Sequence, residues 1–118
     1  MKKPVKTIPI SYIRGLIVAQ DGKCAISGRQ LNPHEVNADH IVPLSREELS
    51  PSLNEDNIWL VHKIVNTMKC TLTYDELIQT CQLILENQSE SQDLINKIRK
   101  GRIKSISKTD FDAWAKEH

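Results

Sequence analysis

Apolar residues in this chain recur mainly at helical spacing, and short polar segments separate the stretches that show it. The first such stretch predicts an amphipathic helix over about 12–21, with Ser11 as its N-cap and Gly22 as its C-terminal stop. Its apolar positions are Ile13, Leu16 and Ile17. We therefore expect one short helix before the first segment of a different character.

The next segment favours extended structure. Cys24–Ile26 predicts a short strand, and Val36–Val42 predicts the strand that returns beside it to form a hairpin. Pro43 ends the second strand, because proline has no N–H to donate to a neighbouring strand. The polar residues 44–56 predict an ordered loop.

A second helical pattern covers Asn57–Lys69 and predicts one helix directly after the loop. Its apolar residues lie three or four positions apart, so they would form one stripe that faces the core. The stripe consists of Ile58, Val61, Ile64, Val65 and Met68. Asn66, His62 and Lys69 lie off this stripe.

The last third of the chain predicts further helices. Thr73 and Glu76 form a capping box that starts a helix of about 74–87. Another helix is expected to begin at Ser91 and to end at Gly101. A last helical turn contains Phe111 and Trp114 and is capped by Ser107 or Thr109. The whole pattern predicts a single α+β domain.

Composition agrees with one folded domain. The chain has 118 residues, of which 39% are hydrophobic and 26% are charged, and this excludes an intrinsically disordered chain. No apolar run approaches the length of a membrane helix, and the basic N-terminus Met1–Thr7 lacks the apolar region of a secretory signal. A cytoplasmic protein is expected. Three widely spaced cysteines make a disulfide framework or a four-cysteine zinc site unlikely expectations for this chain.

Charge is unevenly distributed although the net charge is only +1. Charged residues from Asp75 to Asp93 are all acidic, and those from Lys97 to Lys108 are all basic. Such a run is either a solvated helix face or a contact surface for nucleic acid.

The candidate chemistry lies in the centre of the chain. Asp39-His40-Ile-Val-Pro-Leu is followed by Asn57, and then by Asn66-Thr-Met-Lys69. Together with the leader Asp21-Gly-Lys-Cys24-Ala-Ile-Ser-Gly28, these residues resemble the HNH endonuclease family over about residues 11–70. The resemblance implies a ββα-metal nuclease core, with a helix before it and a helical extension over about 73–118.

The resemblance implies that the chain hydrolyses DNA phosphodiester bonds with Mg²⁺ or Mn²⁺. His40 would be the general base that activates water, and Asn57, or a backbone carbonyl near it, would orient its ring. Asp39 and Asn66 would be the metal ligands, a hard oxygen donor set that favours these cations over zinc. Because neighbours on a strand point to opposite faces, Asp39 and His40 would serve different partners.

Each of these residues also has a structural interpretation. Asp39-His40 could be a capped strand end, Asn57 could be the N-cap of its helix, and Asn66 could be a surface residue. His62 and Lys69 are candidate phosphate contacts, or else an exposed helix histidine and a cation near the helix C-terminus.

The sequence departs from the family pattern in one respect. Many family members bind a structural zinc through two Cys-x-x-Cys pairs, whereas this His-Asn-Asn variant has Cys24-x-x-Ser27 and His62-x-x-Val65. Structural zinc is therefore not expected.

Two functions from different classes follow from the sequence. The first is an HNH endonuclease that is either weakly specific or directed by a partner protein or by its own oligomerisation. The alternative is a degenerate HNH fold that binds nucleic acid or serves as an assembly subunit of a larger phage or anti-phage complex.

Overall fold

A computed structural model describes residues 8–118 of the chain, so the expectations for Met1–Thr7 lie outside the described residues. The architecture is α+β, as predicted. Two short 3₁₀ turns, Glu47–Leu49 and Glu55–Asn57, lie between the two strands. The helices and strands are α1 (Ile10–Ala19), β1 (Val36–His40), β2 (Ile58–His62), α2 (Lys63–Lys69), α3 (Tyr74–Glu86), α4 (Gln88–Arg99) and α5 (Lys108–Glu117).

The centre of the fold is an antiparallel pair of strands followed at once by a helix. β1 and β2 pair so that Asp39 lies opposite Trp59 and His40 lies opposite Ile58. α2 begins at the residue after β2 and contacts both strands. This β–β–α order is compatible with the architecture that the sequence predicted, although different segments form it.

The prediction of one helix over Asn57–Lys69 was wrong. The first half of that range is β2, and only Lys63–Lys69 is helical. β2 is buried on both of its faces, so its apolar residues form a continuous run instead of alternating with polar ones. The expected stripe is divided accordingly: Ile58 and Val61 are buried in β2, whereas Ile64 and Met68 are 52% and 56% exposed on α2.

The prediction of a strand at Cys24–Ile26 was also wrong. A turn forms there, closed by bonds from the Gly28 N–H to the Cys24 carbonyl (2.9 Å) and from the Cys24 N–H to the Arg29 carbonyl (2.8 Å). Gly28 has φ +74°, a conformation that side chains other than glycine's rarely adopt. The strand that pairs with β1 is therefore β2, which is far later in the sequence.

The outer edge of β2 is covered by groups that are not strands. The carboxamide of Gln20 donates to the Leu60 carbonyl (2.8 Å) and accepts from the Leu60 N–H (3.0 Å). The Ala25 N–H donates to the same carbonyl (3.0 Å), and the His62 N–H donates to Cys24 Sγ (3.3 Å). These bonds attach the end of α1 and the following turn to the strand.

The helix boundaries follow local signals in most places. α1 starts at Ile10 and has Pro9 as its N-cap, so the prediction of Ser11 as the cap was wrong. Gly22 ends this helix as expected, with φ +67° and a bond from its N–H to the Ile17 carbonyl (2.9 Å). α4 starts at Gln88, three residues before the predicted start at Ser91.

The C-terminal helices confirm the predicted caps. Thr73 and Glu76 exchange bonds, from the Thr73 N–H to Glu76 Oε1 (3.0 Å) and from the Glu76 N–H to Thr73 Oγ1 (3.2 Å). Ser107 caps α5 by accepting from the Asp110 N–H (3.1 Å). Gly101 has φ +66° just after α4.

The chain divides into two units, one ending at Thr80 and one comprising Cys81–His118. The expected boundary near residue 73 therefore moves into α3. The first unit contains the paired strands and the buried residues. Among residues 8–118, every helix is too short or too polar to cross a membrane.

An ion pair fixes the loop between β1 and β2 to the start of α3. Both terminal nitrogens of Arg46 donate to Glu76, over 2.6 Å and 3.1 Å, and Nη1 also donates to the Thr71 carbonyl (3.2 Å). The Arg46 hydrogen bond, with help from the Thr73 N–H, lowers the pKa of Glu76 from 4.5 to about 2.

We expect this pair to make stability depend on pH. Because the pKa of Glu76 is lower in the folded state, its contribution is fully present above pH 4.5 and is lost as the pH falls toward 2. Urea unfolding followed by tryptophan fluorescence should therefore show a steeper acid loss for the wild type than for Glu76→Gln. Glu47→Gln, an exposed change in the same loop, should keep the wild-type slope. Equal slopes for all three proteins would contradict the prediction.

Candidate active site

Asp39 is a buried carboxylate near the end of β1, with 8% of its surface exposed. Its Oδ2 accepts a hydrogen bond from Trp59 Nε1 (2.8 Å) and lies 3.1 Å from Lys69 Nζ. The indole of Trp59 is held in turn by an edge-on contact with Tyr74, with 5.8 Å between ring centroids. Neither polar contact uses Oδ1, so one carboxylate oxygen is fixed and the other is left for a further partner.

Lys69 is a fully buried lysine on the last turn of α2. Its Nζ donates to the backbone carbonyl of His40 (2.9 Å) and pairs with Asp39. An isolated ammonium in this environment would be strongly destabilising, and the two oxygen partners compensate for the lost water. The lysine thus joins α2 to the two residues that end β1.

Asn66 lies three residues before Lys69 on α2 and is half-buried. Residues three apart on a helix share a face, so Asn66 is on the side of α2 that Lys69 directs toward Asp39. The fold therefore brings together the helix face of Asn66 and the strand end of Asp39. These are the two residues that the sequence analysis named as metal ligands.

His40 is the last residue of β1 and is half-buried. Strand geometry directs its side chain to the face opposite that of Asp39. Within the part of the chain that the structure describes, its imidazole makes no hydrogen bond. The ring is therefore available to a ligand, and its tautomer is not fixed by residues 8–118.

Asn57 is buried and holds the loop that follows His40. Its carboxamide accepts from the Val42 N–H (2.8 Å) and donates to the carbonyls of Val42 (2.9 Å) and Ser52 (3.1 Å). Its own carbonyl accepts from the Ile41 N–H (2.8 Å). The expectation that Asn57 orients the imidazole of His40, and the alternative that it caps a helix, find no support: the side chain fixes the backbone beyond His40 instead.

His62 was expected to be an exposed helix residue or a phosphate contact, but it ends β2 and is completely buried. Its Nδ1 accepts from the Ile64 N–H (3.1 Å), which caps α2, and its Nε2 lies 2.9 Å from Glu35 Oε2. An accepting Nδ1 carries no proton, so Nε2 donates to Glu35 and the ring is neutral. Bonds from Asn32 and then from His62 lower the pKa of Glu35.

The expected phosphate contacts by His62 and Lys69 are therefore not supported. Both side chains are 0% exposed and are occupied by the partners just described. A phosphate could reach either one only if these internal bonds were broken, which is costly for a buried charged or polar group. Both residues support the neighbouring elements instead.

The two remaining members of the eroded zinc pattern lie close together. Cys24 Sγ accepts from the backbone N–H groups of Ser27 (3.4 Å) and His62 (3.3 Å). Burial raises the pKa of this thiol, but bonds from Ser27, His62 and Ile26 together outweigh burial and lower it. Cys24 therefore joins the turn to β2 through hydrogen bonds.

Sequence reasoning missed two residues of this site. Trp59 binds Asp39 because the two lie directly opposite each other, which only a correct prediction of β2 would have indicated. Glu35 lies just before β1, and the strand register brings it to His62. Neither residue is part of the motif that carries the family resemblance.

Comparison with known proteins adds no assignment. No protein-family model matches the chain, and no curated protein resembles it significantly in sequence. Among residues 8–118, no group of three or more His, Cys, Asp and Glu side chains is placed to hold a metal ion. A site built from one carboxylate and one carboxamide would not form such a group, so the argument rests on the geometry of Asp39, His40 and Asn66.

Lys69→Met should destabilise the protein by about 3–5 kcal/mol, because it leaves the buried Asp39 carboxylate without its cation. Urea denaturation measures this loss. Lys63→Met, at the exposed first position of the same helix, should change stability by less than about 0.5 kcal/mol. Adding Asp39→Asn to Lys69→Met should recover part of the loss, since it removes the unpaired charge. A Lys69→Met protein as stable as its Lys63→Met control would contradict the assigned role.

Asn57→Ala should cost about 2–3 kcal/mol, because it leaves the buried polar groups of Val42 and Ser52 without their partner. Asn54→Ala, an exposed change in the same loop, serves as the control. Hydrogen exchange should also quicken at Val42 in Asn57→Ala, since its amide loses its acceptor. Unchanged protection of that amide would show that another group holds the loop.

Proposed function

We propose that this chain is a metal-dependent endonuclease of the HNH type that hydrolyses DNA phosphodiester bonds. The observation that carries the proposal is the β1–β2–α2 unit, with Asp39 and His40 at the end of one strand and Asn66 on the helix face directed toward them. The motif resemblance and the order of these elements support the same function. They do so independently, because the motif was identified without knowledge of β2.

His40 is the general base in this proposal. Its imidazole faces away from Asp39 and has no internal hydrogen bond in the described residues, so it can accept a proton from a water molecule. Asn57 contributes by fixing Ile41 and Val42, the residues that follow His40. Lys69 contributes by holding the His40 carbonyl. The backbone on which the base is mounted is therefore rigid although the ring is not.

Asp39 and Asn66 are the residues that would hold a divalent cation. A carboxylate oxygen and an amide oxygen form a hard donor set that fits Mg²⁺ or Mn²⁺. The Oδ2 of Asp39 is already bonded to Trp59 and Lys69, which leaves Oδ1 as the ligand atom. When bound, the ion would neutralise charge that develops on the phosphate and on the leaving oxygen.

The contact between Lys69 and Asp39 also favours a second function. Lys69 places one positive charge at the carboxylate without any metal ion, which weakens its attraction for a cation. A degenerate HNH fold that binds nucleic acid or assembles with other proteins would keep this pair and lose cleavage. The two functions differ in whether DNA is cut and in whether Mn²⁺ binds at Asp39.

Cleavage of plasmid, linear duplex and single-stranded DNA with Mg²⁺ or Mn²⁺ tests the proposal. We expect His40→Ala to lower the cleavage rate by about 10²–10⁴-fold, the usual contribution of a general base. The matched control is His34→Ala, which removes an exposed histidine from the loop before β1 and should cleave at the wild-type rate. Cleavage by His40→Ala at the rate of His34→Ala would refute the assignment of the base.

Binding of Mn²⁺, measured by calorimetry, separates the two functions. An active nuclease should bind Mn²⁺ in the wild type and lose that binding in Asp39→Asn. A wild-type protein that neither cleaves DNA nor binds Mn²⁺, but shifts DNA in a gel, would support the binding subunit instead.

A further inference from the structure

The unit Cys81–His118 carries apolar side chains that nothing in it covers. Every residue from Gln82 to His118 is exposed, and Cys81 is only half-buried. Isolated helices of this length are marginal in water, and most helical stability in proteins comes from packing an apolar face. The uncovered apolar residues of α3 and α4 are Leu83 (65% exposed), Ile84 (59%), Leu85 (68%), Leu94 (52%), Ile95 (40%) and Ile98 (58%).

Some of these residues form one continuous face, which we call the 81–98 face. Its positions are spaced alternately by three and four residues, the spacing of helices that pack along their length. The ends of the face are apolar and its middle is polar. Its members are Cys81, Ile84, Gln88, Ser91, Ile95 and Ile98.

The 81–98 face is complementary to itself when one copy is reversed. Reversal sets Cys81 opposite Ile98 and Ile84 opposite Ile95, and it sets Gln88 opposite Ser91. Apolar residues thus meet apolar residues, and the two polar residues that can share a hydrogen bond meet in the middle. We propose that this face binds the same face of a second copy of this chain, in antiparallel orientation.

The charge distribution favours that orientation. In the antiparallel pair, Lys97 lies level with Gln82 of the second copy, and the nearest charge along that helix is Glu86, roughly 6 Å away by helix rise. In a parallel pair, Lys97 would lie level with Lys97, and Arg99 with Arg99. Like charges side by side are destabilising, so the basic end of α4 selects the antiparallel arrangement.

The joint between α3 and α4 keeps the two halves of the face in sequence. The Asn87 N–H donates to the Leu83 carbonyl (3.0 Å), and the Asn87 carbonyl accepts from the Ser91 N–H (3.0 Å). Both bonds span four residues, as in a helix. Asn87 itself has φ −95° and ψ 6°, so a bend occurs between the apolar ends, at the polar middle of the face.

A second copy explains the face better than an unrelated partner, because reversal matches apolar to apolar, polar to polar and base to acid with no further assumption. The inference does not depend on the proposed nuclease activity. It concerns only residues of the second unit and predicts a physical property, the mass of the particle.

The mass in solution, measured by light scattering and sedimentation over a concentration series, tests the proposal. We expect a dimer that dissociates on dilution. Ile95→Glu should weaken it by at least about tenfold in Kd, because it places a charge in the apolar contact. The control is Leu83→Glu, a change on the same helical segment but off the face, which should leave Kd within a few-fold of the wild type. A monomer at every concentration, or equal weakening by both variants, would overturn the proposal.

Cysteine cross-linking tests the orientation without relying on a destabilised variant. In a Cys70→Ser background, which removes the exposed native thiol, Ile98→Cys places a new thiol opposite Cys81 of the second copy. Mild oxidation should then give a covalent dimer, and peptide mapping should join residue 98 of one copy to Cys81 of the other. The Cys70→Ser background alone should give little cross-linking. Efficient linkage of Cys81 to Cys81 would show a parallel pair and overturn the antiparallel assignment.

Discussion

The buried ammonium of Lys69 is the interaction on which the rest of the first unit depends. It contacts the side chain of Asp39 and the backbone of His40, so one cation holds the end of β1 against the end of α2. A charge with no exposed surface tolerates little displacement, because any movement costs one of its two oxygen partners. The relative position of strand and helix is thereby fixed within the length of a hydrogen bond, and with it the position of Asn66.

The sequence predicted the parts of the fold that are set locally. The capping box of Thr73 and Glu76, the cap at Ser107 and the glycine stop at Gly22 act within a few residues, and the structure has all three. β2 was missed because its apolar residues are covered on both faces, so the alternation that identifies a strand is absent. The same run of residues fits a helical repeat, and only pairing with β1 decides between the two.

The candidate site was predictable in composition and less so in its supports. Asp39, His40 and Asn66 follow from the motif, and the fold places Asp39 and the helix face of Asn66 beside each other. The supporting roles of Lys69 and His62 were not predictable, because lysine and histidine are rarely buried and nothing local in the sequence indicates a partner 27 or 30 residues away. Long-range partners of polar residues are decided by topology.

The carboxamide of Gln20 has a consequence for the behaviour of the chain at high concentration. A strand at the edge of a sheet normally presents unpaired N–H and C=O groups, and these are a template for another strand and for aggregation. On the outer edge of β2, Gln20 occupies both backbone groups of Leu60, and Ala25 shares the carbonyl. One side chain thus closes the point at which an extended segment of another molecule could join, and loss of that amide would turn a protected strand into a sticky one.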